Sequence, residues 1–302
     1  MRVFSFLLFF CILHSTYSQR LSKETLTDSL KRLPSFTIHK DNYFITGVPT
    51  HTGINKQTAD AKYQVSFKQL LFRKKVPQDS YLFLKYTQKA FWNIYEFSSP
   101  FEEINFNPGI AYSKYFYDKR NNVNALATLS LEHESNGRDS IFSRSWNFVA
   151  LEYHRTLSKK LVAGVKAWLP FYYKESNPDL MDYSGYAQLN FDYEFIPNKL
   201  YAQLMLQKGT SWDWKGAARP RILYNPFNSV NQFIMLEWFT GYDENLIEYN
   251  QYRSMIRIGF LLKSNLRKNC CICSVIVALA KEREYFSIWY DGKYSSKNFN
   301  PK

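Results

Sequence analysis

Polar and apolar residues alternate along most of the chain. The clearest stretch puts Tyr183, Gly185, Ala187, Leu189, Phe191, Tyr193 and Phe195 on one face, with Ser184, Tyr186, Gln188, Asn190, Asp192 and Glu194 on the other. Successive side chains of a strand point to opposite sides, so this period of two predicts a strand with one apolar and one polar face. The same rhythm runs through 160–173, where Leu161, Ala163, Val165, Ala167, Leu169 and Phe171 share a face, and through 200–207 and 254–262. Further strands are predicted near 63–72, 81–95, 110–117, 124–135, 147–157, 221–224 and 233–242. Turn-forming clusters at 119–122, 176–179 and 196–199 separate them. No segment of the body reads as a helix. The chain is therefore all-β, built as an antiparallel sheet.

Composition narrows the kind of sheet. Aromatic residues make up 18% of the chain, with 23 Tyr and 25 Phe, yet 22% is charged. An aromatic-rich outer row over a polar inner row suits a barrel whose outside meets lipid. Beyond the N-terminus, no apolar run approaches the roughly 20 residues of a spanning helix. If the chain enters a membrane it must do so as a closed barrel, because only helices and closed barrels pair every backbone group there. The alternation also permits a secreted β-sandwich with its apolar rows packed inward, and a passive barrel without chemistry.

Charge and cysteines add less. The net charge is +13, but lysines and arginines are scattered and form no stripe, so nucleic acid is not expected as a partner. Attraction to anionic lipid head groups fits the balance better. Residues 1–18 have the layout of a secretory signal, with Arg2, an apolar run and small residues before position 19. A polar segment, 19–50, is expected on the periplasmic side ahead of a barrel at 51–265. The tail, 266–302, is unlike the body and stays unassigned. It holds Cys270, Cys271 and Cys273, a weak metal set without a nearby histidine.

The candidate chemistry lies in 131–148, "LEHESNGRDSIFSRSWNF". Leu129, Leu131, His133 and Ser135 share a parity, and so do Asn147, Val149, Leu151 and Tyr153. A hairpin with its loop centred near Ser140 would set His133 opposite Asn147 and Ser135 opposite Ser145. Facing side chains of an antiparallel pair have Cβ atoms about 4.5–5.5 Å apart. Three polar groups would then converge on an otherwise apolar surface. A serine hydroxyl is a weak nucleophile that needs a base beside it. His133 can take its proton, and the Asn147 amide oxygen can hold the ring in the tautomer required. The same residues also read as an ordinary polar hairpin end near a barrel rim.

The segment "HESNGRDSIFSRSWN" resembles the active-site segment of the outer-membrane phospholipase A family. Stretches 35–47, 86–92, 98–101, 177–179, 185–186 and 240–250 are similar to other family segments in the same order. The resemblance implies a transmembrane barrel of twelve strands in the cell outer membrane that hydrolyses acyl esters of phospholipids, of the A1/A2 and lysophospholipase type. It implies Ser135 as nucleophile, His133 as base and Asn147 as orienter. It further implies calcium at the interface of an active homodimer, with Ser98 of one subunit and Arg138 and Ser143 of the other as ligand positions. Backbone carbonyls and waters would supply most of the oxygens there. A second calcium position of the family, usually acidic, falls on Ser176, which departs from the pattern. Gln88 matches a polar residue of the family's dimer face.

Overall fold

A computed structural model describes residues 22–32, 34–72, 80–229 and 231–264. The signal layout at 1–18 and the tail with its cysteines lie outside the described residues. After helix α1 (Lys23–Arg32) and the short strand β1 (Phe36–Ile38) come β2 (Asn42–Pro49), β3 (Asp60–Leu70), β4 (Ser80–Trp92), β5 (Phe101–Tyr117), β6 (Val123–Ser135) and β7 (Ser145–Thr156). Then follow β8 (Leu161–Phe171), helix α2 (Leu180–Ser184), β9 (Ala187–Ile196), β10 (Leu200–Lys208), β11 (Gly216–Tyr224), β12 (Gln232–Gly241) and β13 (Arg253–Leu262). From β2 onward each strand pairs antiparallel with the next, and β13 returns to β2, so twelve strands close into a barrel. This closure removes the β-sandwich alternative.

The closing seam explains two glycines. A Cβ on Gly47 would sit 1.9 Å from the Ile256 carbonyl oxygen, and one on Gly259 would sit 2.2 Å from that of Phe44. Only glycine lets β2 and β13 approach so closely.

The structure departs from the sequence reading at several places. The barrel begins at Asn42, inside the segment expected to precede it. In β2 Tyr43 and Ile45 are buried while Phe44 faces out, but this half-polar strand is too short to stand out by pattern. The 19–50 segment also holds α1, whose Leu26 and Leu30 bury against Leu70, Tyr81, Phe83 and Tyr115 of the barrel wall. The 183–195 alternation belongs to a strand only from Ala187, because 180–184 turn into helix α2.

Strand β5 starts at Phe101 rather than near 110. "NFNPG" (105–109) runs as strand, and Asn105 and Asn107 are buried. A proline inside a strand breaks one ladder bond, and the β5–β6 register does skip Asn107 and Pro108.

Outward rows are apolar and exposed: Leu129 and Leu131 on β6, Val149 and Leu151 on β7, Ile256, Ile258 and Phe260 on β13. Inward rows are charged and paired. Arg257, fully buried, bonds Asp60 and Glu244 at 2.6 Å each. Lys62 and Arg221 each reach Glu237 at 2.5 Å, and Lys85 reaches Glu132 at 2.7 Å. Buried ions are tolerated only when paired in this way. Above this network sits an apolar layer of Trp146, Phe148, Trp168, Leu180, Met181, Leu246 and Tyr249. It fills the end that carries the 136–144, 172–179 and 242–252 loops. Longer loops mark the outward-facing end of membrane barrels.

Candidate active site

The β6–β7 pairing sets His133 opposite Asn147 and Ser135 opposite Ser145. This is the register expected from the hairpin pattern. His133, Ser135 and Asn147 are half-buried and continue the outward row of Leu129, Leu131, Val149 and Leu151. The site therefore lies on the barrel's outer wall, at the upper rim of its apolar band.

His133 Nδ1 and Asn147 Oδ1 are 2.9 Å apart. An amide oxygen only accepts, so Nδ1 donates and Nε2 keeps its lone pair. That is the tautomer a base needs towards a serine. Ser135 lies two residues further along the same row. Among the described residues no hydrogen bond joins it to His133. Such contacts are commonly long in a site without substrate and tighten when it binds.

Several supports escaped the sequence reading. Asn107 donates its side-chain amide to the His133 carbonyl at 3.0 Å. Pro108 beside it has no N–H to offer β6, so Asn107 spans the gap in the ladder directly behind the histidine. On the inner face Trp146 donates Nε1–H to Glu134 at 3.2 Å and stacks on Phe148 at 4.0 Å. Glu134 and Trp146 are cross-strand partners between the His133–Asn147 and Ser135–Ser145 pairs. The sequence signal at Asn107 is the Asn-Pro step itself, and such a step favours a turn in general.

Ser176 has a structural task. Its hydroxyl accepts from the Ser145 N–H at 3.1 Å and donates to the Ser145 carbonyl at 3.0 Å. Asn177, fully buried, adds a bond to the same carbonyl at 2.7 Å. The 172–179 loop thus clamps the residue facing Ser135. Asn136 closes the 136–144 loop: its side chain donates to the Phe142 carbonyl at 2.9 Å and accepts from the Arg144 N–H at 3.0 Å. Gly137 takes φ 66°, which leaves no strain where most residues would resist.

The positions that the family resemblance implies for calcium fall on two loops. Ser98, exposed with φ 65°, is on the 93–100 loop, and Arg138 and Ser143 are on the 136–144 loop. Arg138 turns its guanidinium back to Glu103, 3.3 Å away, and to the Glu102 carbonyl. What Arg138 can offer a cation is therefore its backbone oxygen. Calcium takes six to eight oxygens, and this donor set of hydroxyls and carbonyls is incomplete within one chain. It fits an ion completed by water and by a second chain. Among the described residues no three His, Cys, Asp or Glu side chains gather as a metal site. Gln88 faces outward too, held by Tyr86 at 3.1 Å and Tyr63 at 3.3 Å.

The family model described as phospholipase A1 matches residues 19–262. The phospholipase A1 of Escherichia coli (strain K12) is 30% identical over 214 residues, covering 69% of this chain and 71% of that protein. The putative phospholipase A1 of Neisseria meningitidis serogroup B is 28% identical and covers 68% of this chain and 55% of that protein. Among solved structures, outer membrane phospholipase A from Escherichia coli aligns with TM-score 0.68 and 23% identity, over 80% of this chain and 98% of that one. A Salmonella typhi outer membrane phospholipase, solved as a dimer with bound calcium, aligns with TM-score 0.68 and 24% identity, over 80% and 97%.

Proposed function

The chain belongs to the phospholipase A1 family, and from that premise we propose that this outer-membrane hydrolase cleaves phospholipid acyl esters with Ser135, His133 and Asn147. The observation that carries the reading is the 2.9 Å bond from His133 Nδ1 to Asn147 Oδ1 on the lipid-facing wall, in one row with Ser135. Phospholipid reaches such a site sideways from the leaflet, without entering the barrel.

Ser135 Oγ attacks the ester carbonyl carbon while its proton passes to His133 Nε2. The tetrahedral oxyanion collapses and the C–O bond to the glycerol oxygen breaks. That oxygen takes the proton from His133 and leaves as the lysophospholipid. Water, deprotonated by His133, then attacks the acyl-serine, releases the fatty acid and restores Ser135. Asn147 is neutral, so it orients the imidazole and stabilises the imidazolium less than a carboxylate would.

Backbone oxygens of Arg138 and Ser143, with Ser98 of a second copy, would hold calcium. When bound, the ion supplies positive charge for the developing oxyanion. The Salmonella typhi relative was solved as a dimer with calcium, and the incomplete donor set here supports the same arrangement. Export by the 1–18 signal, with barrel strands beginning at Asn42, completes the reading.

The test is hydrolysis of phosphatidylcholine by the refolded chain, with calcium and with chelator, beside Ser135→Ala. The expected result is calcium-dependent release of fatty acid that Ser135→Ala abolishes while the barrel stays folded. Full hydrolysis by Ser135→Ala would overturn the nucleophile, and full hydrolysis by a chelated monomer would overturn the shared ion.

A further inference from the structure

Around the barrel from the active site, the loop between β10 and β11 (209–215) carries two tryptophans that touch nothing. Trp212 is fully exposed and Trp214 is 93% exposed. Large apolar side chains held in water call for a partner, and these are not held loosely.

Lys208 ends the outward row of β10, and its amine turns into the loop to donate to three carbonyls, of Gly209 at 3.1 Å, Ser211 at 2.6 Å and Asp213 at 2.8 Å. Gly209 N–H bonds the Lys215 carbonyl at 3.0 Å and closes the stem. Thr210 fastens the loop to α2 through the Met181 carbonyl at 3.2 Å and Asp182 at 3.1 Å. Lys215 lies over the Tyr183 ring at 4.7 Å. The loop is tied at its base and presents two indoles at its tip.

The neighbouring wall indicates what they meet. On β10 the outward row is Leu200, Ala202, Leu204 and Leu206. From Leu200 to Leu206 it covers roughly 20 Å of strand, or about 15 Å of height at a tilt near 40°. The apolar band of a membrane barrel is about 25 Å tall. On β11 the outward row shrinks towards the loop to Ala218 and Gly216. This part of the wall is thus short and thin at its upper rim, where the two indoles stand. The Lys208 amine is tied to loop carbonyls, which solvate its charge at the loop stem. Indole, an apolar ring with one N–H donor, partitions to the head-group region of bilayers.

We propose that the 209–215 loop is a membrane anchor that sets Trp212 and Trp214 into the lipid interface of the leaflet surrounding the barrel. The loop extends the apolar band on this side and fixes how deep the barrel sits. The anchor rests on the barrel fold alone, so it stands or falls independently of the catalytic residues.

The experiment is tryptophan emission from the full chain in ether-linked phosphatidylcholine vesicles, which offer no ester to cleave. The loop signal is the difference between the wild type and Trp212→Phe/Trp214→Phe. Both positions are free of packing, and heat-dependent gel mobility checks that the variant barrel is folded. Expected is loss of the loop signal when the protein's own bilayer contains ether-linked lipid brominated near the glycerol end of the alkyl chain, with little loss to aqueous iodide. Quenching by iodide without quenching by brominated lipid would place the indoles in water and overturn the anchor. Quenching only by separately added brominated vesicles would assign them to an opposing lipid surface and also overturn it.

Discussion

The two faces of the β6–β7 hairpin are built on opposite terms. Outside, Ser135, His133 and Asn147 are half-exposed and held to one another by a single hydrogen bond, that between His133 and Asn147. Inside, one residue away, Glu132, Trp146 and Phe148 are buried in ion pairs and stacked rings. Reactive groups must stay open to lipid, so they cannot be held by packing of their own. The inner face and the flanking loops hold them instead. Outer substitutions should therefore cost activity and leave stability alone, whereas inner ones should cost stability first.

The sharpest test is on the outside. His133→Ala should lower turnover by up to about 10⁴-fold, because proton transfer by a positioned base contributes up to roughly that factor and is what activates the serine. Thermal unfolding of the barrel should not move. A large drop in stability would break the contrast.

Asn147→Ala should cost less, on the order of 10- to 100-fold in kcat, since the ring loses its orienter but stays beside Ser135. Turnover by the two variants under one condition settles the order. If Asn147→Ala is the more damaging, Asn147 does more than orient.

On the inside, Trp146→Ala removes a buried ring and leaves Glu134 without its indole donor. Large aromatic truncations cost about 3–5 kcal/mol, read as a fall in denaturant midpoint. Asn107 sharpens the comparison, since it is an inner side chain that reaches the His133 backbone. Asn107→Ala should lower kcat a few-fold through loss of one bond worth about 1 kcal/mol, with KM unchanged. A pure KM effect would show that Asn107 does not act through His133.

The smallest effect concerns the 242–252 loop. Burial pushes the Asp243 carboxyl up to about 6, against the hydrogen bonds from Ser184 and Gln207 that favour its charged form. Because the folded value lies above the ordinary one near 3.9, this group's contribution to stability is fully present below about pH 4. It is lost as pH rises through 6. The protein should be slightly more resistant to heat at pH 5 than at pH 7.5 through this group, by about 1 kcal/mol or less after solvent screening. Asp243→Asn should flatten that part of the profile, and an unchanged profile would exclude Asp243 as its source.

How much was readable beforehand differs by element. The strands from β6 to β10, the parity of their rows and the His133–Asn147 register follow from alternation and turn residues, because a period of two is local. Strand β2 and the first half of β5 did not follow. A strand that lines a charged interior loses the apolar contrast that marks it, and Asn105, Asn107 and Pro108 carry local turn preferences that pairing on both sides overrides. Helix α1 was missed because its apolar face, Leu26 and Leu30, is only two residues, meaningful once the barrel mouth with Phe83 and Tyr115 is there to receive it.

By itself the sequence determined that this is an alternating, lipid-compatible sheet and which outward row bears a histidine, a serine and an asparagine. Those are properties of residue type and spacing along one strand pair. Only the tertiary structure decided that β13 closes on β2 through Gly47 and Gly259, and that Asn107 completes the bond Pro108 cannot make. It also decided that Ser176 clamps Ser145 across 31 positions of chain. Such contacts join residues distant in sequence, and they exist only where closing the barrel satisfies every strand's backbone at once.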